Sequence, residues 1–150
     1  MALALSRKAN RPVKLVMGRD EVFRATGPTS STSIDVKMGA KKDGTITAAV
    51  AEMRYQGGAF PGNWAMLGCM TAFACYDIKN NQSIGWDVVV NRPKVAAYRA
   101  PSAPMAAFAV ESTIDELAKE IGMAPIDMRL KNVAREGTLA PYGPTYGPIG

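Results

Sequence analysis

The chain contains no histidine. This removes every Ser-His-Asp and Cys-His arrangement, because no imidazole is present to move the proton. Its two cysteines, Cys69 and Cys75, form no Cys-x-x-Cys pair. They fall short of the ligand count of a structural zinc or an iron–sulfur cluster. Their i to i+6 spacing also keeps them off a common helical face, so both are expected to be buried free thiols. No metal site is expected from the chain's own side chains. No apolar run approaches the roughly 20 residues that span a bilayer. The opening "MALALSRKAN" carries its basic residues after a very short apolar run, the reverse of a secretory leader. The expectation is a cytoplasmic chain with no membrane partner. The 18 Lys and Arg outnumber the 13 Asp and Glu, yet no basic run is longer than Lys41-Lys42 and aromatics do not interleave with them. Nucleic-acid binding is therefore not expected, since its electrostatic footprint is a clustered stripe.

What is present is an ordinary soluble composition, 150 residues with 47% hydrophobic, enough for one domain with a real core. If the chain takes part in chemistry, a group other than its side chains carries the reactive atom.

Periodicity predicts the elements. "ALALSRKAN" has helical spacing and reads as the tail of a helix, residues 1–10, cut at its start. "VKLVMG" (13–18) reads as a strand and "RDEVFRAT" (19–26) as a helical turn. Residues 32–40 and 44–56 alternate with period two around "KKDG", a hairpin with Asp43-Gly44 in the turn and Ile34, Val36 and Met38 on one face. Residues 65–78 are continuously apolar and read as a helix, and 84–91 as a strand. A long helix is expected over 102–121, with Ala107, Val110, Ile114, Leu117 and Ile121 as its core stripe and Gly122 closing it. A second follows in "PIDMRLKNVARE" (125–136), with Pro125 in its first turn. Residues 138–150 form a Gly/Pro-rich tail. The fold class is α+β, an antiparallel hairpin and short strands packed on two C-terminal helices. Both ends read as cut, so 1–150 is expected to be a single piece of a larger domain.

One stretch is not explained by packing. "RPKVAAYRAPSAPMAAFAVES" (92–112) fences Tyr98 and Arg99 with prolines between two apolar runs. Read from the residues alone, Arg99 is either a surface arginine that caps the helix or pairs with Asp87, or a positioned charge.

The stretch "AYRAPSAPMAAFAVESTIDELAKEIGMAPIDMRLKN" resembles the large subunit of the molybdenum hydroxylases, the xanthine dehydrogenase, aldehyde oxidase and carbon monoxide dehydrogenase family. "RPVKLVMGRDEVFRATGPTSSTSIDVKMGAKKDGTITAAV", "GGAF" and "YGPTYGPIG" are similar to its neighbouring blocks, in the same order. The resemblance implies a molybdenum atom held by the dithiolene of a pterin cofactor. It implies oxidation of a small aldehyde, heterocycle or related substrate. Electrons would leave through iron–sulfur and FAD centres on other domains or subunits. It implies that Tyr98, Arg99 and Ala100 pass beside the cofactor, with Phe60, Leu67 and Pro101 toward the substrate. The catalytic glutamate of the family would lie beyond residue 150, so no catalytic residue is expected within 1–150. Glu111 and Glu116 read as residues of a packing helix. The piece alone is expected to be inactive and to hold no cofactor.

The departures from the family are informative. Ala100 stands where copper-containing carbon monoxide dehydrogenases carry cysteine. Pro101 stands where xanthine-type members place a phenylalanine against the substrate ring. Leu67 falls where purine enzymes hold an arginine, and Met105 replaces a frequent glutamine. These point away from xanthine and from a copper site. An isolated piece would also leave a sheet edge and a helix stripe uncovered, from which a homodimer is expected. The competing reading is a stand-alone, non-catalytic α+β module that binds a protein through its sheet edge.

Overall fold

Asp43-Gly44 closes the hairpin. In the computed structural model, which describes residues 1–148, Gly44 takes φ 85° and Asp43 Oδ1 accepts the Thr45 N–H at 3.0 Å. The turn joins β1 (Thr32–Ala40) to β2 (Ile46–Gly58) in antiparallel register, Ile34 facing Met53 and Val36 facing Ala51. A register shift at Gly39/Ala40 brings Ile46 to the buried face. From there Ala49, Ala51, Met53 and Tyr55 alternate inward along β2, the period-two pattern of a strand with one covered face.

A third strand, β3 (Asn80–Val89), lies parallel to β2 and makes the sheet order β1-β2-β3. It begins four residues before the predicted 84. The parallel pairing requires a crossover, supplied by residues 59–79 with α3 (Ala65–Thr71). Because β2 and β3 run the same way, the loops that follow them leave the sheet at the same end. Before the sheet, α1 (Ala2–Ala9) and α2 (Arg19–Ala25) bury no residue. After it, α4 (Ala103–Glu120) and α5 (Pro125–Asn132) complete the cover on one face. The largest fully buried side chains are Tyr55, Phe73, Met53, Ile114, Met128 and Val110, each worth about 1.5–3 kcal/mol of transfer free energy. The other face of the sheet is polar, with Arg54 bridging Asp35 and Glu52, and Glu52 also taking the Trp86 indole N–H.

Four sequence expectations are corrected. Residues 13–18 form no strand and pair with none among the described residues, since a short apolar run alone does not supply a ladder partner. The helix expected over 65–78 stops at Thr71. Beyond it Ala134 N–H reaches Cys75 O at 2.9 Å and Asp77 N–H reaches Asn132 O at 2.8 Å, so long-range pairing takes the backbone that a helix would have used. The same pairing ends α5 at Asn132 rather than 136. In α4 the buried stripe is Ala106, Val110, Ile114 and Ala118, with Leu117 and Ile121 half-buried beside it, and Ala107 faces outward. The stop itself is as expected: Gly122, at φ 71°, donates to Lys119 O and Met123 N–H to Ala118 O, a Schellman closure.

Asn132 ties α5 to the hairpin. Its Oδ1 accepts Ile46 N–H at 2.8 Å, and its Nδ2 donates to Gly44 O and Met128 O, all buried. Each such bond is worth about 1 kcal/mol net, whereas the exposed Lys131–Asp43 pair at 3.6 Å between the same elements contributes at most about 0.5 kcal/mol. The amide therefore carries the connection.

Residues 138–148 of the tail fold back on the molecule. Leu139 bridges Thr145, Thr138 and Ala140 are buried, and Tyr146 Oη donates to Ala74 O at 2.8 Å. Ile149 and Gly150, at the end of that segment, lie outside the described residues.

Candidate functional site

The shared end of β2 and β3 gathers the segments that the sequence singled out. Gly57 and Gly58 end β2 without side chains because the Asp87 carboxylate and the backbone of residues 93–94 occupy that space. A Cβ on Gly57 would stand 2.5 Å from Asp87 Oδ1, and one on Gly58 would collide with Pro93 O. Gly58 also takes φ 81°. The segment after β3 then zips onto this corner: Val90 N–H to Gly58 O, Ala59 N–H to Arg92 O, Val95 N–H to Gly57 O. Pro28 joins it, accepting Ala96 N–H at 2.9 Å, and Gly27 leaves no room for a Cβ beside Lys94 O. The loop holding Phe60 is pinned by Asp87, whose Oδ2 accepts the Gly62 and Asn63 N–H groups, and by Lys94 Nζ donating to Gly62 O.

On this scaffold the Tyr98–Arg99 turn stands out into solvent. Tyr98 is 72% exposed, and Arg99 and Ala100 are exposed. No carboxylate among the described residues pairs with Arg99. The pairing with Asp87 considered from sequence is absent, because Asp87 is engaged with the amides of the Phe60 loop. The turn's backbone is unusual: Ala100 at φ 52° and Ser102 at φ 68° flank Pro101, left-handed positions that cost a residue with a Cβ about 1–2 kcal/mol each. Ala103 N–H closes the turn on Ala100 O at 3.2 Å, and Ser102 is buried as the N-cap of α4.

Beside the turn lies a cleft of about 560 Å³. It runs between α2 and the 96–98 backbone and is lined by Val22, Phe23, Thr26, Pro28, Ala97 and Tyr98. The Arg19 guanidinium lies 5.2 Å from the Phe23 ring centre. Phe60 (67% exposed) and Leu67 (half-buried on α3) do not line this cleft. Pro101 is half-buried within the turn. The structure thus brings Tyr98, Arg99, Ala100 and Pro101 together, and sets Phe60 on a neighbouring loop at the same end.

Of Glu111 and Glu116 on α4, Glu111 joins a hydrogen-bond network. Glu111 takes the Tyr76 hydroxyl at 2.7 Å and Arg129 Nε at 2.7 Å, and Arg129 continues to Asp115 at 2.7 Å. This binds α4, α5 and the segment after α3. Burial, then Glu111, push the Tyr76 phenol well above its ordinary value. Glu116 is exposed on α4. The thiols depart from expectation: Cys69 is half-buried, with burial raising its pKa, whereas Cys75 is exposed, because α3 ends before it.

Sequence reasoning passed over Tyr55 and weighed Asp87 only as a partner for Arg99. Tyr55 lies within the alternating run of residues 44–56 and carried no mark of its own. It is 0% exposed, its hydroxyl donates to Ser102 O at 3.3 Å, and burial, then Cys69, push its phenol up to about 12. The double glycine at 57–58 was the available signal for the corner that Asp87 and Pro93 fill.

Comparison with known proteins bears on this arrangement. Residues 1–133 match the family model described as the molybdopterin cofactor-binding domain. The chain is 34% identical over 136 residues to an aldehyde oxidoreductase of Megalodesulfovibrio gigas, covering 89% of the chain and 15% of that protein. It is 32% identical over 143 residues to a putative xanthine dehydrogenase molybdenum-binding subunit of Escherichia coli, covering 93% of the chain and 19% of that protein. A solved structure of the aldehyde oxidoreductase from Desulfovibrio gigas superposes with a TM-score of 0.83 at 31% identity, covering 94% of the chain and 16% of that structure's chain.

Proposed function

The chain belongs to the molybdopterin cofactor-binding domain family, and from that premise we propose that it forms one wall of the molybdenum–pterin site of a larger oxidoreductase. The observation that carries this reading is the exposed Tyr98–Arg99 turn, held in strained backbone on a rigid corner, with its guanidinium unpaired among the described residues. The residues fit such a group. A metal that brings its own dithiolene sulfurs asks the protein for charge, amides and shape rather than for thiolates or imidazoles, and the turn offers these.

When bound, the group supplies the centre at which a small substrate is oxidised. Arg99 contributes positive charge and donors where anionic oxygen collects, and the fixed turn supplies them without reorganisation. Tyr98 and Ala100 present the backbone on either side of it. Phe60, Leu67 and Pro101 form the apolar approach for substrate, and their lack of charge favours small aldehydes or N-heterocycles over purines. The general base, the iron–sulfur centres and the flavin belong to other parts of the larger protein or to its partners.

Ala100 offers no thiolate to a soft metal such as copper. Full-length protein assayed anaerobically with an electron acceptor is expected to oxidise members of an aldehyde and N-heterocycle panel and to leave carbon monoxide untouched. Carbon monoxide oxidation with copper equimolar to molybdenum would overturn the assignment of Ala100 and Pro101.

A further inference from the structure

We infer that Tyr55 is a positioning residue for the Tyr98–Arg99 turn, acting through the carbonyl of Ser102. The functional side of this inference rests on the reading above; its structural side stands alone. Two residues with side chains, Ala100 and Ser102, hold positive φ on either side of Pro101. A turn of that kind relaxes unless its surroundings fix it. Arg99 itself fixes nothing, since it makes no ion pair among the described residues. The hold comes from the C-terminal side. Ser102 O accepts Ala106 N–H at 3.1 Å, which belongs to α4, and the Tyr55 hydroxyl at 3.3 Å, which belongs to the sheet. The first bond orients the helix. The second ties the turn's end to a strand at the centre of the sheet.

The ring of Tyr55 is placed for this task. It sits on the buried face of β2, the central strand, and is 0% exposed. Its hydroxyl reaches Ser102 because α3 carries a glycine at 68: a Cβ there would overlap the phenolic oxygen. Its other contact is the weak acceptor Met53 Sδ at 3.6 Å. A buried hydroxyl needs an acceptor, and Ser102 O is the oxygen it has among the described residues. Gly68, Tyr55 and Ser102 thus lock α3, β2 and α4 together at the point where the turn enters α4.

Trypsin cleavage after Arg99 reads the turn directly. Cleavage of a briefly opened segment tracks the population of the open form. In the 150-residue chain, Tyr55→Phe keeps the ring and removes one hydrogen bond. It is expected to raise cleavage at Arg99–Ala100 by about fivefold while leaving cleavage after Lys41 and Lys42 unchanged. Gly68→Ala, which displaces the phenol, is expected to do the same. Equal acceleration at all sites would make Tyr55 a general packing residue and overturn the proposal, as would no acceleration at Arg99 in a folded Tyr55→Phe chain. In the full-length protein, Tyr55→Phe is expected to lower kcat with little change in KM. Selective cleavage in the short chain with unchanged kcat in the full-length protein would uphold the positioning and refute the cofactor reading of the turn.

Discussion

Gly58→Ala is expected to destabilise the chain by about 3 kcal/mol or more, a large part of the roughly 5–15 kcal/mol that holds a domain of this size. Two costs combine. The residue sits at φ 81°, where a Cβ is strained, and the added carbon would meet Pro93 O and Lys94 Cα, backbone atoms that cannot rotate away. Yielding would mean opening the bonds from Val90 to Gly58 O and from Val95 to Gly57 O, and with them the base of the Tyr98–Arg99 turn. Gly137 is the control: its φ is 83°, but no atom lies within 4 Å of its added Cβ. Gly137→Ala should cost only the conformational term, about 1 kcal/mol. Urea unfolding of both variants separates the collision from the strain. Equal losses would show that the corner at Gly58 yields.

Arg99→Ala has the opposite signature. The side chain is exposed and makes no ion pair among the described residues, so its removal should change stability by no more than about 0.5 kcal/mol. In the full-length protein the same change is expected to lower kcat by roughly two orders of magnitude, the loss of about 3 kcal/mol that follows removal of one preorganised donor or charge. Steady-state kinetics beside a thermal melt decide it. A variant that melts early while its folded fraction turns over normally would make Arg99 a structural residue.

The parts of the fold that were legible in the sequence are those written in local periodicity. The hairpin is read from alternation around Asp43-Gly44, and α4 and its stop from a 3.6-residue stripe ending at Gly122. What was not legible depends on partners far along the chain. The end of α3 is set where Asp77 and Cys75 bond to residues 132–134, and a continuous apolar run carries no mark of that. The segment 13–18 has a strand's composition without a strand's neighbour. Asp87 was readable as a partner for Arg99, yet the parallel pairing of β3 sets it beside Gly57 and the amides of Gly62 and Asn63. For the candidate site, resemblance singled out Arg99. Its physical setting, two left-handed residues braced by a buried tyrosine, needed three dimensions.

The most direct test of the account is molybdenum and pterin analysis of the full-length protein that contains this chain, purified from molybdate-replete cells. About one molybdenum and one pterin per chain are expected, with the 150-residue stretch alone retaining neither. A full-length protein that is folded and active as an oxidoreductase with no molybdenum or pterin would contradict it.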